Sequence, residues 1–266
     1  MKRERVLSQI MFFLFFLTAI PAAAQTGGVR GKKREHTWFT MSRVERPLGV
    51  GVYGGYANNS LYQGGAEYAR PGIIQRNGNG WTAGLALRWQ IFNWLALQAD
   101  PAYITRSYSN FQAMYINDTL SPHTNTTTNS FIDVPLMLSF HAPLAENLRF
   151  TAGAGYYAGF WLASHEQGIS LMPPGSPDSG EISSQSYNVE RVLDPKRDNR
   201  FDHGAIASVG IQYDFTQFKP CHVSIFVEGR YWYGLSDLQK PYQRNLSPLM
   251  QSTLTVHAGI LIQPEF

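Results

Sequence analysis

The chain has 266 residues, a formal charge of +3, a single cysteine and 44% hydrophobic residues. Charged residues are only 15% and aromatics reach 14%, against roughly 25% charged in soluble domains; the weak positive charge excludes an electrostatic case for nucleic acid. With Cys221 alone, neither an intrachain disulfide nor a cysteine-built zinc site can form.

The first element is a leader. Lys2, Arg3 and Arg5 precede an apolar run from Ile10 to Ile20, followed by Pro21 and by Ala22-Ala23-Ala24 before Gln25. That order predicts a signal peptide over 1–24, cleaved between Ala24 and Gln25. As a helix the run reaches roughly 16 Å, short of a hydrocarbon core of about 30 Å, so a retained anchor is the poorer reading. Removing three basic residues and Glu4 takes the charge from +3 to +1. Residues 25–46 read as a flexible periplasmic segment whose Arg30, Lys32, Lys33 and Arg34 are solvated. Residues 47–266 read as one outer-membrane domain.

Eight segments with period-two patterning follow, near 47–60, 81–92, 94–106, 131–143, 148–163, 201–215, 223–236 and 251–266. Their apolar stripes include Trp81, Ala83, Leu85, Leu87, Trp89, Ile91 and Ile132, Val134, Leu136, Leu138, Phe140. Each has about the nine to eleven residues that a tilted strand needs to cross a bilayer. Arg88, Asp100, Arg106, Asp133, Arg149, Asp202, Asp214, Glu228 and Arg230 all take the opposite parity. A charge facing lipid at mid-bilayer costs about 2–4 kcal/mol, so a clean outward stripe is expected. A soluble barrel of lipocalin type would be apolar inside and dense in Lys and Glu outside. Here the second face is polar, as in Thr82, Gly84, Ala86, Arg88, Gln90, with Phe226, Trp232 and Leu261 as inward exceptions.

Short connections (Asn93, 144–147, 216–222) alternate with long ones at 61–80, 107–130, 164–200 and 237–250. Short periplasmic turns and long extracellular loops are the outer-membrane pattern. Aromatics gather near the expected interfaces: Trp89, Trp94, Phe140, Phe150, Tyr213, Phe215 and Phe266 on the periplasmic side, and Tyr56, Trp81, Tyr103, Phe160 and Tyr233 outside. The expected fold is all-β: a closed eight-stranded antiparallel transmembrane β-barrel, since closure leaves no unpaired edge in lipid. Pro101 and Pro135 lie inside strands and each lacks a ladder N–H. Pro135 is expected near the outer end of its strand and Pro101 at a bulge.

FIDVPLMLSF (131–140), AGAGYYAGF (152–160), RFDHGAIASVGIQYDF (200–215) and VEGRYWYGLSDL (227–238) resemble the PorT-type outer-membrane β-barrel family, and STLTVHAGILIQPEF (252–266) is similar to its last strand. The resemblance implies an eight-stranded barrel in the outer membrane of a Gram-negative cell. The family's namesake belongs to a protein-secretion machinery. The insert at 165–200 is longer than the family's usual loop. Phe266 resembles the terminal aromatic read by the barrel-assembly machinery.

Several motifs invite chemistry. Gly49-Val50-Gly51-Val52-Tyr53-Gly54 matches G-x-G-x-x-G, but no helix-forming period follows to build a dinucleotide site; the glycines suit a crowded, narrow barrel instead. Arg88, Asp133, Glu228 and Arg230 are expected to form a lumenal charge network, because polar groups in a narrow interior must satisfy one another. His123, His165 and His203 could approach one another near the outer rim, yet none has metal-ligand spacing. Ser208 or Ser252 with His203 or His257 could be proposed as a hydrolytic pair, and nothing singles them out. The expectation is a barrel with no catalytic, cofactor or metal site. Its partners are outer-membrane lipid, the assembly machinery during insertion, and a protein engaged through the loops, with no nucleic acid. A lipid acylhydrolase or protease, or a small pore, are the alternatives. Mass spectrometry of the mature protein is expected to find Gln25 at its N-terminus; a retained leader would refute the cleavage site.

Overall fold

The computed structural model describes residues 47–63, 73–116, 119–172, 183–215, 221–240 and 249–264. The leader, the cleavage pair Ala24–Gln25, the 25–46 segment and Phe266 lie outside them. The strands are β1 (Leu48–Gln63), β2 (Ile73–Phe92), β3 (Leu95–Ala99), β4 (Ala102–Ile116), β5 (Thr119–Pro143), β6 (Leu148–Met172), β7 (Ser183–Arg191), β8 (Phe201–Phe215), β9 (Cys221–Gly234) and β10 (Leu249–Pro264). All pairings between them are antiparallel.

The wall is a ring of eight. β3 and β4 act as one wall strand interrupted at Asp100–Pro101, both pairing β2 on one side and β5 on the other. The ring runs on through β5, β6, β8, β9 and β10, and β10 returns to β1 from Val50↔Ile262 to Gln63↔Leu249. This is the closed barrel that the alternating stripes predict. The parity holds throughout: Leu85, Trp89, Val134, Leu138, Val227 and Ile260 stand outward and exposed, while Arg88, Asp133, Glu228 and Arg230 are buried inside. Phe226, Trp232 and Leu261 do turn inward, where they are buried.

Rings of aromatics mark both ends of the apolar band. Phe92 stacks on Trp94 (5.6 Å), which meets Phe140 (6.0 Å), and Tyr213 meets Phe215 (5.1 Å) on the periplasmic side. Outside, Trp81 meets Tyr103 (5.0 Å) and Tyr156 stacks on His203 (5.8 Å). Rings with polar tips favour this depth.

Two expectations need correction. The stretches 107–130 and 164–200 are not mainly irregular loops. β4 and β5 pair without interruption out to Ile116↔Thr119, and β6 continues to Met172 with β7 paired along it. These strands rise beyond the bilayer and carry mainly polar side chains on both faces, so they need no apolar stripe and a hydrophobic period cannot reveal them. The wall therefore continues on one side, β2–β4–β5–β6–β7, with roughly 40 Å of β5 beyond the aromatic ring at about 3.3 Å per residue.

The prolines are also placed differently. Pro135 lies within β5 rather than near its outer end, and no bulge marks Pro101. The register advances three residues on both neighbours from Ala99 to Ala102 (Leu87 to Gly84, and Leu136 to Asp133), so no residue is inserted. The bulges are elsewhere: in β2 between Asn77 and Thr82, where Thr105 Oγ1 accepts the Trp81 N–H (2.8 Å), and in β6 opposite Ser130–Phe131. Both occur where the wall leaves the apolar band.

The glycine motif of β1 does serve close approach. A Cβ on Gly51 would stand 2.1 Å from Ile260 O, and one on Gly55 only 2.3 Å from Val256 O and 2.5 Å from His257 Cβ. Depth should decide the cost of charge on the outer face. Leu85→Arg is expected to lower stability in lipid vesicles by about 2–4 kcal/mol, and Leu254→Arg, nearer the outer rim, by roughly 0–1 kcal/mol. Equal costs measured by denaturant titration would contradict the assigned depth.

Candidate functional site

The lumen is a stack of alternating ionic and apolar layers. Nearest the periplasm, Arg149 pairs with Asp214 (2.6 Å), which accepts from Gln212 and Ser224 (2.8 Å each). Arg88, buried on β2, donates to Gln212 Oε1 (2.5 Å) and lies over the Phe226 ring (5.7 Å). An apolar layer of Tyr53, Ala86, Ala102, Phe226 and Leu261 surrounds this level.

The central layer is built around Arg230. Its Nε donates to Glu228 Oε1 (2.9 Å), its second arm binds Asp100, and its guanidinium lies 5.1 Å from the Tyr53 ring centroid. Asp100 also accepts from Gln98 Nε2 (2.5 Å) and from the Leu87 backbone N–H (3.2 Å). His257 stands opposite Glu228 in the β9–β10 register and packs on Tyr53 (4.6 Å).

The proline pair explains why Asp100 sits here. Asp100 N donates to Pro135 O (3.3 Å), but proline has no N–H to return the bond; Tyr53 Oη donates to Asp100 O instead (3.3 Å). Leu85 N likewise donates to Pro101 O (2.9 Å) without a reciprocal bond. The side chains of Tyr53 and Asp100 thus repair part of the ladder that the two prolines thin.

A layer of Met137, Tyr157, Ile206 and Trp232 follows. Above it Arg106 bridges two carboxylates, Asp133 (2.5 Å) and Asp202 (2.8 Å), and lies over Phe131 (4.7 Å). Asp202 also accepts from Gln251 (3.0 Å), Tyr157 (3.3 Å) and Ser236. The outer mouth is closed by Ile104, Phe131 and Trp161 with Leu193 and Leu238, which enter from the segments after β7 and β9.

Those two segments are tied together. Asp198 accepts from Arg191 (2.7 Å) and from Asp194 N (2.9 Å), Asn199 N donates to Leu238 O (2.9 Å), and Lys240 N donates to Arg197 O (2.8 Å). The result is a lid over the lumen, held by backbone as well as side-chain bonds.

Of the four residues expected to form one network, the structure brings Glu228 and Arg230 into contact. Asp133 belongs to a second cluster with Arg106 and Asp202, and Arg88 bonds a neutral glutamine. Asp100, Arg106 and Asp202 were recognisable as inward from parity, but their pairings were not. Arg230–Asp100 and Arg106–Asp202 span 130 and 96 residues, so only closure of the ring makes them partners.

The proposed catalytic and metal residues do not assemble. His203 faces outward, bonded through Nδ1 to Tyr156 Oη (2.5 Å), and His165 pairs opposite Thr128 on the extension. The side chain of His123 lies outside the described residues. Among the described residues no three His, Cys, Asp or Glu side chains converge as metal ligands. Ser208 and His257 are both buried within the stack.

Breaking the central layer by one member should be costly. Arg230→Met leaves Glu228 and Asp100 facing each other, and a loss of about 3–5 kcal/mol in unfolding free energy is expected. Adding Glu228→Gln and Asp100→Asn to that variant should recover most of the loss; no recovery would show that packing, not charge, holds the layer.

A search of the curated proteins matches none. Among solved structures the chain is similar to the outer membrane protein OprG of Pseudomonas aeruginosa, at 9% identity over 84% of this chain and 98% of that one, with a TM-score of 0.42. It is also similar to the outer membrane protease OmpT of Escherichia coli (13%, 84% and 99%, 0.41) and to the Neisserial surface protein NspA (10%, 82% and 97%, 0.37). Likenesses this distant carry no activity across. The family model described as outer membrane protein beta-barrel domain matches residues 24–240. The chain belongs to that outer-membrane β-barrel family.

Proposed function

We propose that this protein is a non-enzymatic component of the outer membrane of a Gram-negative cell, acting on a protein partner through the part of its wall that stands outside. The observation that carries this reading is the five-stranded extension ending in β7, whose only pairing among the described residues is to β6. An edge strand outside the membrane presents alternate N–H and C=O groups that an extended segment of a partner can pair with. Asn188, Val189 and Glu190 on that strand are exposed.

The lumen supports the non-enzymatic side of the reading. Arg230 and Arg106 are each held by two carboxylates, the outer mouth is covered by the Leu193–Leu238 lid, and among the described residues no nucleophile, base and orienting group meet at an accessible place. The same filling speaks against free diffusion, as in other eight-stranded barrels packed with side chains. The PorT-type resemblance of the strands supports a place beside a secretion machinery. Export through cleavage after Ala24 and insertion guided by Phe266 belong to the same proposal.

A photo-crosslinking amino acid at Asn188 in intact cells is expected to capture a protein, whereas the same residue at lipid-facing Val209 is not. Absence of any adduct at Asn188, or stable conductance of the purified protein in planar bilayers, would overturn the assignment.

A further inference from the structure

The outward face of the extension differs from the rest of the barrel's rim. Along β4 and β5 the outward parity carries Ser107 and Ser109 opposite Thr128 and Thr126, with Thr105 opposite Ser130 below them; Ser109, Thr126, Thr128 and Ser130 are half-buried, and Thr105 and Ser107 lie buried behind them. The hydroxyls pair across the strands: Ser107 with Thr128 and Ser109 with Thr126, each at 2.8 Å. β6 and β7 continue the same two rows with His165 and Gln167, then Glu190 and Asn188. From Thr105 to Ser109 and from Thr124 to Ser130, the outward positions of β4 and β5 carry no charge.

This strip continues the lipid-facing surface directly. Tyr103 and Ile132, in the outer aromatic ring, lie one step below Thr105 and Ser130 on the same faces, and Tyr103 Oη donates to Ser130 Oγ (2.8 Å). A lipid whose chains pack on Ile132, Val134 and Leu136 therefore sets its headgroup against the hydroxyl rows. Among the described residues β8 and β9 offer no comparable sheet: β8 begins at Phe201, level with Phe160, and β9 ends at Gly234.

We infer that the β4–β5 hydroxyl strip is a binding surface for the saccharide of an outer-leaflet glycolipid. Each serine or threonine hydroxyl has one donor and two acceptor sites, so a Ser–Thr pair that shares one proton still offers a donor and several acceptors outward. Sugar hydroxyls present the same mixture, whereas the charged headgroup of a phospholipid calls for ionic partners that the β4–β5 part of these rows lacks. The rows also rise more than one residue above the ring, which suits a headgroup several sugars long. The inference is independent of what β7 pairs with, because it uses the face of the sheet and not its edge.

The test is native mass spectrometry of the full mature protein in detergent, titrated with core-only lipopolysaccharide, phosphatidylethanolamine, or the delipidated core oligosaccharide. The variant S109A/T126V/T128V keeps β-forming side chains, and unchanged migration of unheated samples on gels confirms that it folds. The wild type should retain lipopolysaccharide in preference to phosphatidylethanolamine. The variant should bind lipopolysaccharide about tenfold more weakly, as loss of several hydrogen bonds requires, with phosphatidylethanolamine unaffected. Equal lipopolysaccharide binding by the two proteins would overturn the inference, as would wild-type binding of the free oligosaccharide as tight as that of the glycolipid.

Discussion

Everything in this molecule depends on satisfying backbone N–H and C=O groups where no water is present. In hydrocarbon each unsatisfied group costs several kcal/mol, so strands can cross only as a closed ring. β10 pairing back to β1 over fourteen registered positions is the bond that makes the other strands possible. Its demands show best where they are nearly broken, at Pro101 and Pro135. Two ladder bonds are missing on adjacent strands there, and Tyr53 and Asp100 reach from the lumen side to take over part of the backbone pairing. The ionic layer around Arg230 is therefore joined to the integrity of the wall, because the carboxylate that Arg230 holds also accepts a wall N–H.

The interior follows from the same constraint. A narrow ring leaves room for one side chain per inward position, and those side chains must fill space and satisfy one another at once. Alternating ionic and apolar layers do both: Trp232 and Tyr157 pack on each other between the Arg230 and Arg106 clusters, and both rings lie under the Arg106 guanidinium. Arg230 and Arg106 are each shared by two carboxylates, which distributes the cost of burying charge over several hydrogen bonds. A lumen built in this way is a support for the wall, and the surface left for recognition is outside.

Outside, the wall is asymmetric. One half continues as a sheet beyond the bilayer with bulges where it leaves the apolar band, whereas β8 and β9 end close to the aromatic ring. The taller half offers two chemically different surfaces, a hydroxyl-bearing face toward the membrane lipids and a strand edge at β7. The lid made by 192–200 and 235–240 closes the space between them and the lumen, with Leu193 and Leu238 as its apolar underside.

The alternation of Leu85, Leu87 and Trp89 with Ala86, Arg88 and Gln90 determined by itself which side of each strand meets lipid, because side chains in a strand must alternate and charge cannot face hydrocarbon. Strand number, the order of short and long connections, and the inward direction of all nine charges came from the same local rule. The extension beyond the ring was hidden: in Thr124–Ser130 both faces carry polar side chains, and no contrast remains to be read. The pairing of charges was hidden for a different reason. Arg230 with Asp100, and Arg106 with Asp202, are neighbours only after the ring has closed, so distance across the lumen, set by register and curvature, decided which partners each arginine took.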